Sequence, residues 1–305
     1  MSQYPIGTPG QKWGTNEKLQ WLNQQKIKRS YRTEVVEKIE ALSTCAKVSQ
    51  YGELKYSVGD YPLLSISGLE WDDNKPTILI TGGVHGYETS GVQGAIRFAQ
   101  TKLAHYSQYF NIVITPCISP WGYETINRWN PEAIDPNRSF YADSPAQESA
   151  AVMTHVAQLA KVIFAHIDLH ETTDTDNSEF RLALAAREGI VQTNWNIPDG
   201  FYLVGDTENP QAEFQKAMID AVSTVTHIAP PDENGQIIGA PLEQKGVINY
   251  AYKALGLCAG LSDAKYATTT EVYPDSPKSD DENCILAQVA SIVGGLEYII
   301  AKEGL

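Results

Sequence analysis

The sequence predicts one α/β domain, built on a largely parallel sheet with helices on both faces. Short apolar runs bounded by turn residues alternate with longer segments of helical periodicity, which is typical of strand–helix–strand units. No internal repeat, low-complexity tract or linker divides the 305 residues. Hydrophobic residues make up 42% of the chain and charged residues 20%, so the chain can bury a sizeable core.

The N-terminal region is predicted to contain an arm, helices and a hairpin. Residues 1–15 are rich in Gly, Pro and Thr, which indicates a loose arm. Residues 16–48 carry apolar side chains at helical spacing, which predicts one or two helices. Residues 52–71 alternate in polarity and break at Gly59 and Asp60, which predicts a β-hairpin. We therefore expect residues 1–50 to form an arm and helices packed on a domain that spans residues 51–305.

The domain itself is predicted to alternate strands and helices. Buried strands are expected at residues 76–81, 111–120 and 162–171, and a short β-rich run lies at 267–275. Helices are expected at residues 90–104, 144–162, 211–225 and 283–303. Residues 172–250 are rich in loop-forming sequence, and loops at strand ends are where such folds place their sites.

The charge and the termini limit the class of protein. Lys plus Arg total 23 and Asp plus Glu total 37, which gives a formal net charge of −14. Nucleic acid and anionic membranes require a basic surface, so we exclude both as main partners. The N-terminus shows no leader pattern and no window approaches 18 apolar residues, so we expect a cytoplasmic protein without a membrane span. The four cysteines form no CxxC pair and are expected to be reduced and mostly buried.

A candidate metal pair follows the first buried strand of the domain. The segment GGVHGYETSG, residues 82–91, places His85 and Glu88 three residues apart at a strand end. Both side chains are zinc ligands in proteins, and a catalytic zinc site uses three protein ligands plus a water. The glycines of this segment allow a sharp bend and leave space beside a metal.

The third ligand is expected from another strand end. The run FAHIDLHE places His170 at the exit of its strand, and Asp168 lies two residues earlier, where it could orient His170. His166 lies deeper in the same run, which predicts a hydrogen-bonded core histidine. The other acids between residues 171 and 179 are expected to face solvent, and a basic substrate or a second cation is the alternative.

Polar motifs further along the chain offer the groups that hydrolysis requires. The segment INRWNPEAIDPNRSF contains Arg128, Asn137 and Arg138, and arginine binds carboxylates through a planar fork. Ion pairing of these arginines with nearby acids is the alternative interpretation. Glu271 ends the β-rich run and is a candidate general base.

The order of these motifs carries a family resemblance. GGVHGYE, SPWGY, RWNPEAIDPNRSF, DLHE and TTTE follow one another between residues 82 and 271. This order resembles the zinc carboxypeptidase superfamily, the M14-type metallocarboxypeptidases, whose zinc ligands are two histidines and a glutamate. Two motifs depart from the family pattern, because SPWG replaces NPDG and Pro136 replaces the leucine of DLNR. Neither change removes a reacting group.

The resemblance implies a fold and a cofactor. It implies a single α/β domain with a twisted, mixed, largely parallel eight-stranded sheet, of which residues 51–305 form the catalytic part. It implies one Zn²⁺ per chain, bound by His85, Glu88 and His170.

The resemblance also implies roles for the remaining site residues. Glu271 is similar to the general base of the family, and Arg128 to the residue that polarises the scissile carbonyl. Asn137 and Arg138 are similar to the pair that binds the substrate carboxylate. The substrate-capping tyrosine of the family corresponds to Tyr250 or Tyr252.

These roles predict a hydrolase that removes the C-terminal amino acid from a peptide with a free carboxylate. A similar zinc site and Asn–Arg pair occur in the succinylglutamate desuccinylase/aspartoacylase branch, which hydrolyses N-acyl amino acids, and this stays an alternative. A zinc-dependent binding protein without turnover is a third hypothesis, which the presence of Glu271 disfavours. The uncharged stretch ALGLCAG, residues 254–260, predicts an apolar or small specificity pocket unless Asp263 lines it.

Overall fold

A mixed eight-stranded sheet forms the centre of the molecule. The computed structural model describes residues 4–159 and 161–305. Within these residues the strand order of the sheet is β1-β2-β4-β3-β5-β10-β6-β9, and β7 and β8 form a separate two-stranded ribbon. The strands are β1 Lys47–Tyr56, β2 Gly59–Ser67, β3 Thr77–Gly82, β4 Asn111–Thr115, β5 Ile163–Glu171, β6 Tyr202–Asp206, β7 Gln236–Ile237, β8 Ala240–Pro241, β9 Val247–Tyr250 and β10 Tyr266–Val272.

The four central strands, β4, β3, β5 and β10, run parallel. Strands β2 and β6 pair antiparallel with β4 and β10, so the sheet is mixed, as the resemblance implied. Every residue of β3 and β4 is buried, and for this reason both appear in the sequence as continuous apolar runs. Ile78 and Ile80 of β3 face one hydrophobic cluster and Leu79 faces another, because successive side chains point to opposite faces.

Helices cover the sheet on both faces. Helices α3, α8 and α9 pack together and share the larger hydrophobic cluster, whereas α6 contacts β1 and a smaller cluster on the opposite side. The helices are α1 Thr15–Gln24, α2 Glu37–Glu40, α3 Thr89–Thr101, α4 Leu103–Tyr106, α5 Pro120–Thr125, α6 Gln147–Gln158, α7 Arg181–Glu188, α8 Ala212–Val222 and α9 Asp281–Glu303. Two π-helical turns, Arg32–Val36 and Asp176–Phe180, precede α2 and α7.

Helix α9 is long and apolar enough to cross a membrane by length and composition alone, although the sequence predicted no membrane span. In the fold it is a core helix that packs between α3 and α8. Gly294 and Gly295 allow this close packing, because a Cβ on Gly294 would lie 2.7 Å from the Cβ of Ala221. Its hydrophobicity is therefore explained by burial on several sides.

Two predictions for the N-terminal region need correction. Residues 4–14 lack regular structure but are not a loose arm, because Ile6 is 1% exposed and Trp13 is buried in the main core; residues 1–3 of the predicted arm lie outside the described residues. The hairpin turns two residues earlier than expected, since Gly59 and Asp60 already pair with Tyr56 and Lys55. The boundary at residue 50 stays a prediction.

Candidate active site

The candidate site lies at the carboxyl ends of the parallel strands. His85 and Glu88 follow β3, His170 is the penultimate residue of β5, and Glu271 lies at the matching level of β10, where it is the register partner of His170. Parallel strands bring their carboxyl ends to one edge of a sheet, and ligand sites form in the crevice outside that edge. Four residues from three distant segments of the sequence therefore meet at one place.

The loop that carries His85 and Glu88 depends on one close backbone approach. A Cβ on Gly86 would lie 2.0 Å from the backbone nitrogen of Tyr123 in α5, so the loop can lie against α5 only if residue 86 is glycine. Glu88 is the residue that precedes α3, which fixes its backbone at a helix start.

His85, Glu88 and His170 form a buried cluster. The Nδ1 atom of His85 lies 2.7 Å from Oε1 of Glu88, and the Nδ1 atom of His170 lies 2.6 Å from Oε2. All three side chains are at most 2% exposed. The ligand atoms of these three residues lie within 4.8 Å of one another, which is the separation that a shared cation requires.

The outer side of each imidazole faces a carboxylate. Nε2 of His85 lies 2.9 Å from Asp135, and Nε2 of His170 lies 2.8 Å from Asp168. Such contacts hold the ring proton on Nε2 and leave the Nδ1 lone pair toward the metal position. The expectation that Asp168 orients His170 agrees with this geometry.

The charges of the cluster fit a bound cation. Burial alone would lower the pKa of His170, but the carboxylates of Asp168 and Glu88 raise it well above its ordinary value. Among the described residues, Oε2 of Glu88 is buried and makes no hydrogen bond of acceptable geometry. Two imidazoles and a carboxylate with an unsatisfied inward oxygen are a donor set that suits zinc.

A second group of metal-capable side chains, His166, Asp168 and Cys258, lies behind this cluster. Its centre is occupied by the Thr81 hydroxyl, which lies 2.9 Å from Nε2 of His166 and donates to Asp168 at 2.6 Å. The group is therefore a hydrogen-bond network that supports Asp168, and His166 is the core histidine that the sequence indicated.

Arg128 lies beside the cluster and is held by acids. Its Nε lies 3.0 Å from Asp135 and its Nη1 lies 3.7 Å from Asp176. The Tyr87 hydroxyl accepts a hydrogen bond from Arg128 at 3.3 Å and donates to Asp176 at 2.8 Å. These contacts fix the guanidinium at the wall of the cavity while leaving 20% of the side chain exposed.

Asn137 and Arg138 lie on the same wall as Arg128. The side-chain oxygen of Asn137 accepts a hydrogen bond from the backbone of Cys258 at 2.7 Å, and its amide nitrogen lies 3.5 Å from Nε2 of His170 at the cavity. Arg138 donates to the carbonyl of Asn137 at 2.7 Å, and its side chain is otherwise exposed at the cavity.

Glu271 is half-buried in the same cavity, and its carboxylate accepts a hydrogen bond from the Thr172 hydroxyl at 3.0 Å. The Tyr202 hydroxyl lies 2.7 Å from the Thr172 hydroxyl and extends this network. Burial raises the pKa of Glu271 to about 8, and the charge of Glu88 adds to the shift. A carboxylate with a raised pKa beside a metal-capable cluster has the character of a general base.

The two candidate tyrosines are in different environments. Tyr250 is half-buried and lines the cavity, whose volume is about 300 Å³. Tyr252 is 1% exposed, and its hydroxyl donates to the carbonyl of Val204 and accepts from the backbone of Thr269. Tyr252 therefore belongs to the core, and the interpretation of it as a substrate-binding residue is not supported by its position.

Two acids expected to face solvent are buried instead. Glu171 is 5% exposed and accepts hydrogen bonds from the backbone nitrogens of Thr89 and Ser90, the first two residues of α3. Asp176 is 7% exposed and pairs with Arg128. The correction has a physical reason, because each carboxylate has buried donors from elements distant in sequence.

Asp263, which could have lined the specificity pocket, is exposed and pairs with Lys253, so it does not line the cavity.

One family model matches part of the sequence, and several solved structures have a similar fold. The model described as "Succinylglutamate desuccinylase/Aspartoacylase catalytic domain" matches residues 74–192, which include the cluster and Arg128, Asn137 and Arg138. A candidate metallopeptidase from Shewanella amazonensis SB2B has 19% sequence identity and a TM-score of 0.61, with 86% of this chain and 90% of that chain covered. No curated protein has a significant sequence match to the chain.

Two further solved structures have a fold similar to that of the chain. A metallo-carboxypeptidase from Burkholderia cenocepacia has 16% identity and a TM-score of 0.56, with 95% of this chain and 70% of that chain covered. Bovine thrombin-activatable fibrinolysis inhibitor, solved with tick carboxypeptidase inhibitor, has 14% identity and a TM-score of 0.55, with 96% and 99% covered. The α/β domain with a mixed eight-stranded sheet is therefore a fold that the chain shares with these solved structures.

Three residues of the candidate site were missed in the sequence. Asp135 contacts both His85 and Arg128, and its position in the motif DPNR, two residues before Asn137, was the available signal. Asp176 and Arg181 also line the cavity. They come from a π-helical turn and a short helix after β5, and no local pattern connected them with the metal cluster.

Proposed function

We propose that the protein is a zinc-dependent hydrolase that removes the C-terminal amino acid from a peptide. The observation that carries the proposal is the convergence of the His85–Glu88–His170 cluster, Arg128, Arg138 and Glu271 on one cavity. Each group has the chemistry that one part of amide hydrolysis requires.

The cluster supplies the metal site of this mechanism. When bound, zinc supplies a Lewis acid and brings the pKa of a coordinated water to about 7. Asp135 and Asp168 hold the two imidazoles in the orientation that the three ligands need.

Three other residues act on the substrate. Glu271 takes the proton of the attacking water and passes it to the leaving nitrogen. Arg128 donates to the oxyanion that develops on the scissile carbonyl. Arg138 and the amide of Asn137 bind the terminal carboxylate, which sets the distance to the scissile bond and makes the attack effectively unimolecular.

The second candidate function is hydrolysis of an N-acyl amino acid. It is favoured by the match of the desuccinylase/aspartoacylase model to residues 74–192. It uses the same residues in the same roles, so the substrate distinguishes the two functions. A binding protein without turnover is disfavoured, because Glu271 lies in the cavity at the level of His170.

The test compares three kinds of substrate on the zinc-loaded protein, with products followed by mass. They are a short peptide with a free carboxylate, the same peptide as its C-terminal amide, and a panel of N-acyl amino acids. A carboxypeptidase releases the last residue of the free acid and acts poorly on the amide, because a missing carboxylate leaves a guanidinium unpaired. Turnover confined to N-acyl amino acids would replace the peptidase by the deacylase. Equal cleavage of acid and amide would remove the carboxylate role of Arg138.

A further inference from the structure

Among the described residues, four arginines line the candidate cavity, and two of them have their charge balanced by the protein. Arg128 pairs with Asp135 and Asp176. Arg187 contacts Glu188 at 3.0 Å, donates to the carbonyl of Ala133 and stacks on the ring of Trp129. Arg187 therefore has a structural role, and Arg128 already has a role in the proposed reaction.

The other two arginines, Arg138 and Arg181, have no carboxylate of the described residues in contact that would balance their charge. Over residues 4–159 and 161–305, neither has a carboxylate oxygen within 4.0 Å of its nitrogens. The chain has an excess of 14 acidic groups, so a shortage of acids does not explain this. The acids that line the cavity are engaged elsewhere, as shown by Glu171 at the start of α3 and Asp176 at Arg128.

Arg181 is also held in a defined position. Its Nη1 donates to the side-chain oxygen of Asn177 at 2.7 Å and to the carbonyl of Asn196 at 3.0 Å. Both acceptors are neutral. In the described part of the chain Nε and Nη2 make no hydrogen bond, and this edge of a guanidinium can bind a carboxylate through two parallel hydrogen bonds.

The electrostatics of the cavity agree with this geometry. Burial lowers the pKa of Arg181, and the charge of Asp176 offsets this in part. Burial raises the pKa of Tyr250, whereas Arg138 and Arg181 both act to lower it, so both guanidiniums lie near this phenol. A partly buried cation without a counter-ion is costly, and an anionic ligand removes the cost.

We propose that Arg181 binds a second carboxylate of the substrate, so that the preferred substrates carry an acidic group near the scissile amide in addition to the carboxylate held by Arg138. This inference rests on the proposed function, because it assigns the terminal carboxylate to Arg138. It replaces the expectation of an apolar or small specificity pocket. Leu184 and Leu257 also line the cavity, where they would contact the methylene groups of such a substrate.

Matched substrates test the proposal by turnover. The pairs are Ala-Ala-Glu with Ala-Ala-Gln, Ala-Glu-Ala with Ala-Gln-Ala, and N-succinyl-alanine with N-butyryl-alanine. We expect kcat/KM to favour the acidic member of at least one pair by about 10–100-fold, the value of a charged hydrogen-bonded contact. Arg181→Gln removes this preference, because kcat/KM falls much more for the acidic member than for the neutral one, and Arg181→Lys restores part of it. Arg97→Gln, which removes a surface charge paired with Glu282, is the control and keeps the preference.

Binding measured by calorimetry in the Glu271→Gln background separates this proposal from the hydrolase itself. If acidic members bind more tightly and Arg181→Gln abolishes the difference, the role of Arg181 holds even where no peptide is hydrolysed. If peptides are hydrolysed but Arg181→Gln leaves the ratio of acidic to neutral substrates unchanged, the second carboxylate is wrong and the hydrolase stands. Circular dichroism of both Arg181 variants establishes that the fold is retained.

Discussion

Asp135 connects the metal cluster to the substrate-binding wall. Its carboxylate lies 2.9 Å from Nε2 of His85 and 3.0 Å from Nε of Arg128, and it also accepts a hydrogen bond from the backbone nitrogen of Asn137. Burial would raise the pKa of Asp135, but Arg128 and His85 hold it well below the ordinary value. One ionised side chain therefore orients a proposed metal ligand and the proposed oxyanion donor together.

Glu271 is the residue whose removal should separate binding from chemistry. Glu271→Gln keeps the shape of the side chain and removes the base, so zinc content and fold should be retained while kcat falls by about 10²–10⁴-fold. The control is Glu282→Gln, because Glu282 is exposed and pairs with Arg97. Steady-state kinetics and elemental analysis of both variants provide the measurement. Near-normal turnover by Glu271→Gln would rule out the proposed base.

The pH dependence should report the same group. Burial raises the pKa of Glu271 to about 8, and the base must be ionised to act. As pH falls through this raised pKa, Glu271 becomes protonated and can no longer accept a proton from water. The value of kcat/KM should therefore decline on the acid side of the profile. A cation bound at the neighbouring cluster lowers this pKa, so the apparent value should lie at or below about 8. A profile without an acid limb down to about pH 5 would contradict the assignment, since a carboxylate with an ordinary pKa titrates below that.

At the scale of elements, the central strands and the β1–β2 hairpin could be predicted from sequence, whereas β6 and β9 could not. Strands β3 and β5 are almost wholly buried, so their apolar runs identify them and place His85 and His170 near strand ends. Strands β6 and β9 have five and four residues and lie in a polar region, and their pairing joins segments distant in sequence. Helix α7 and its Arg181 were missed for a similar reason, because tertiary packing decides where this short helix lies.

The loop between β3 and α3 should tolerate no side chain at residue 86. Gly86→Ala would place a Cβ 2.0 Å from the backbone of Tyr123, so the loop with His85 must move away from α5. We expect lower zinc content and loss of activity in a protein that still folds. Gly52→Ala is the control, because its Cβ would meet the nearest side-chain atom at an ordinary 3.5 Å. Equal zinc content in both variants would show that this close approach does not position the cluster.

At the scale of the whole molecule, the N-terminal segment supports the site through tryptophans. The ring of Trp21 in α1 lies 5.5 Å from Trp129, the neighbour of Arg128, and Trp13 lies 6.1 Å from Trp129 on another side. Arg187 of α7 stacks on Trp129 at 4.2 Å. The sequence carried no family resemblance here, yet these residues are part of the main core.

Trp21→Ala should therefore affect both stability and activity. Trp21 is 1% exposed, and loss of such a side chain costs about 3–5 kcal/mol of unfolding free energy. The cavity left against Trp129 should also loosen Arg128 and lower kcat. The control is Leu19→Ala in the same helix, because Leu19 is 51% exposed and its loss should change the free energy by less than about 0.5 kcal/mol. Denaturant unfolding and kinetics measure both effects, and a stable, fully active Trp21→Ala would show that this support is dispensable.

The central claim is that His85, Glu88 and His170 hold one zinc ion. The most direct measurement is zinc per chain, by elemental analysis, in the wild type and in two variants. His170→Ala removes a member of the cluster, and Cys258→Ala removes a member of the neighbouring group around Thr81. We predict one zinc per chain in the wild type, a large loss in His170→Ala and an unchanged content in Cys258→Ala. A wild type without zinc, or a loss in Cys258→Ala but not in His170→Ala, would contradict the account.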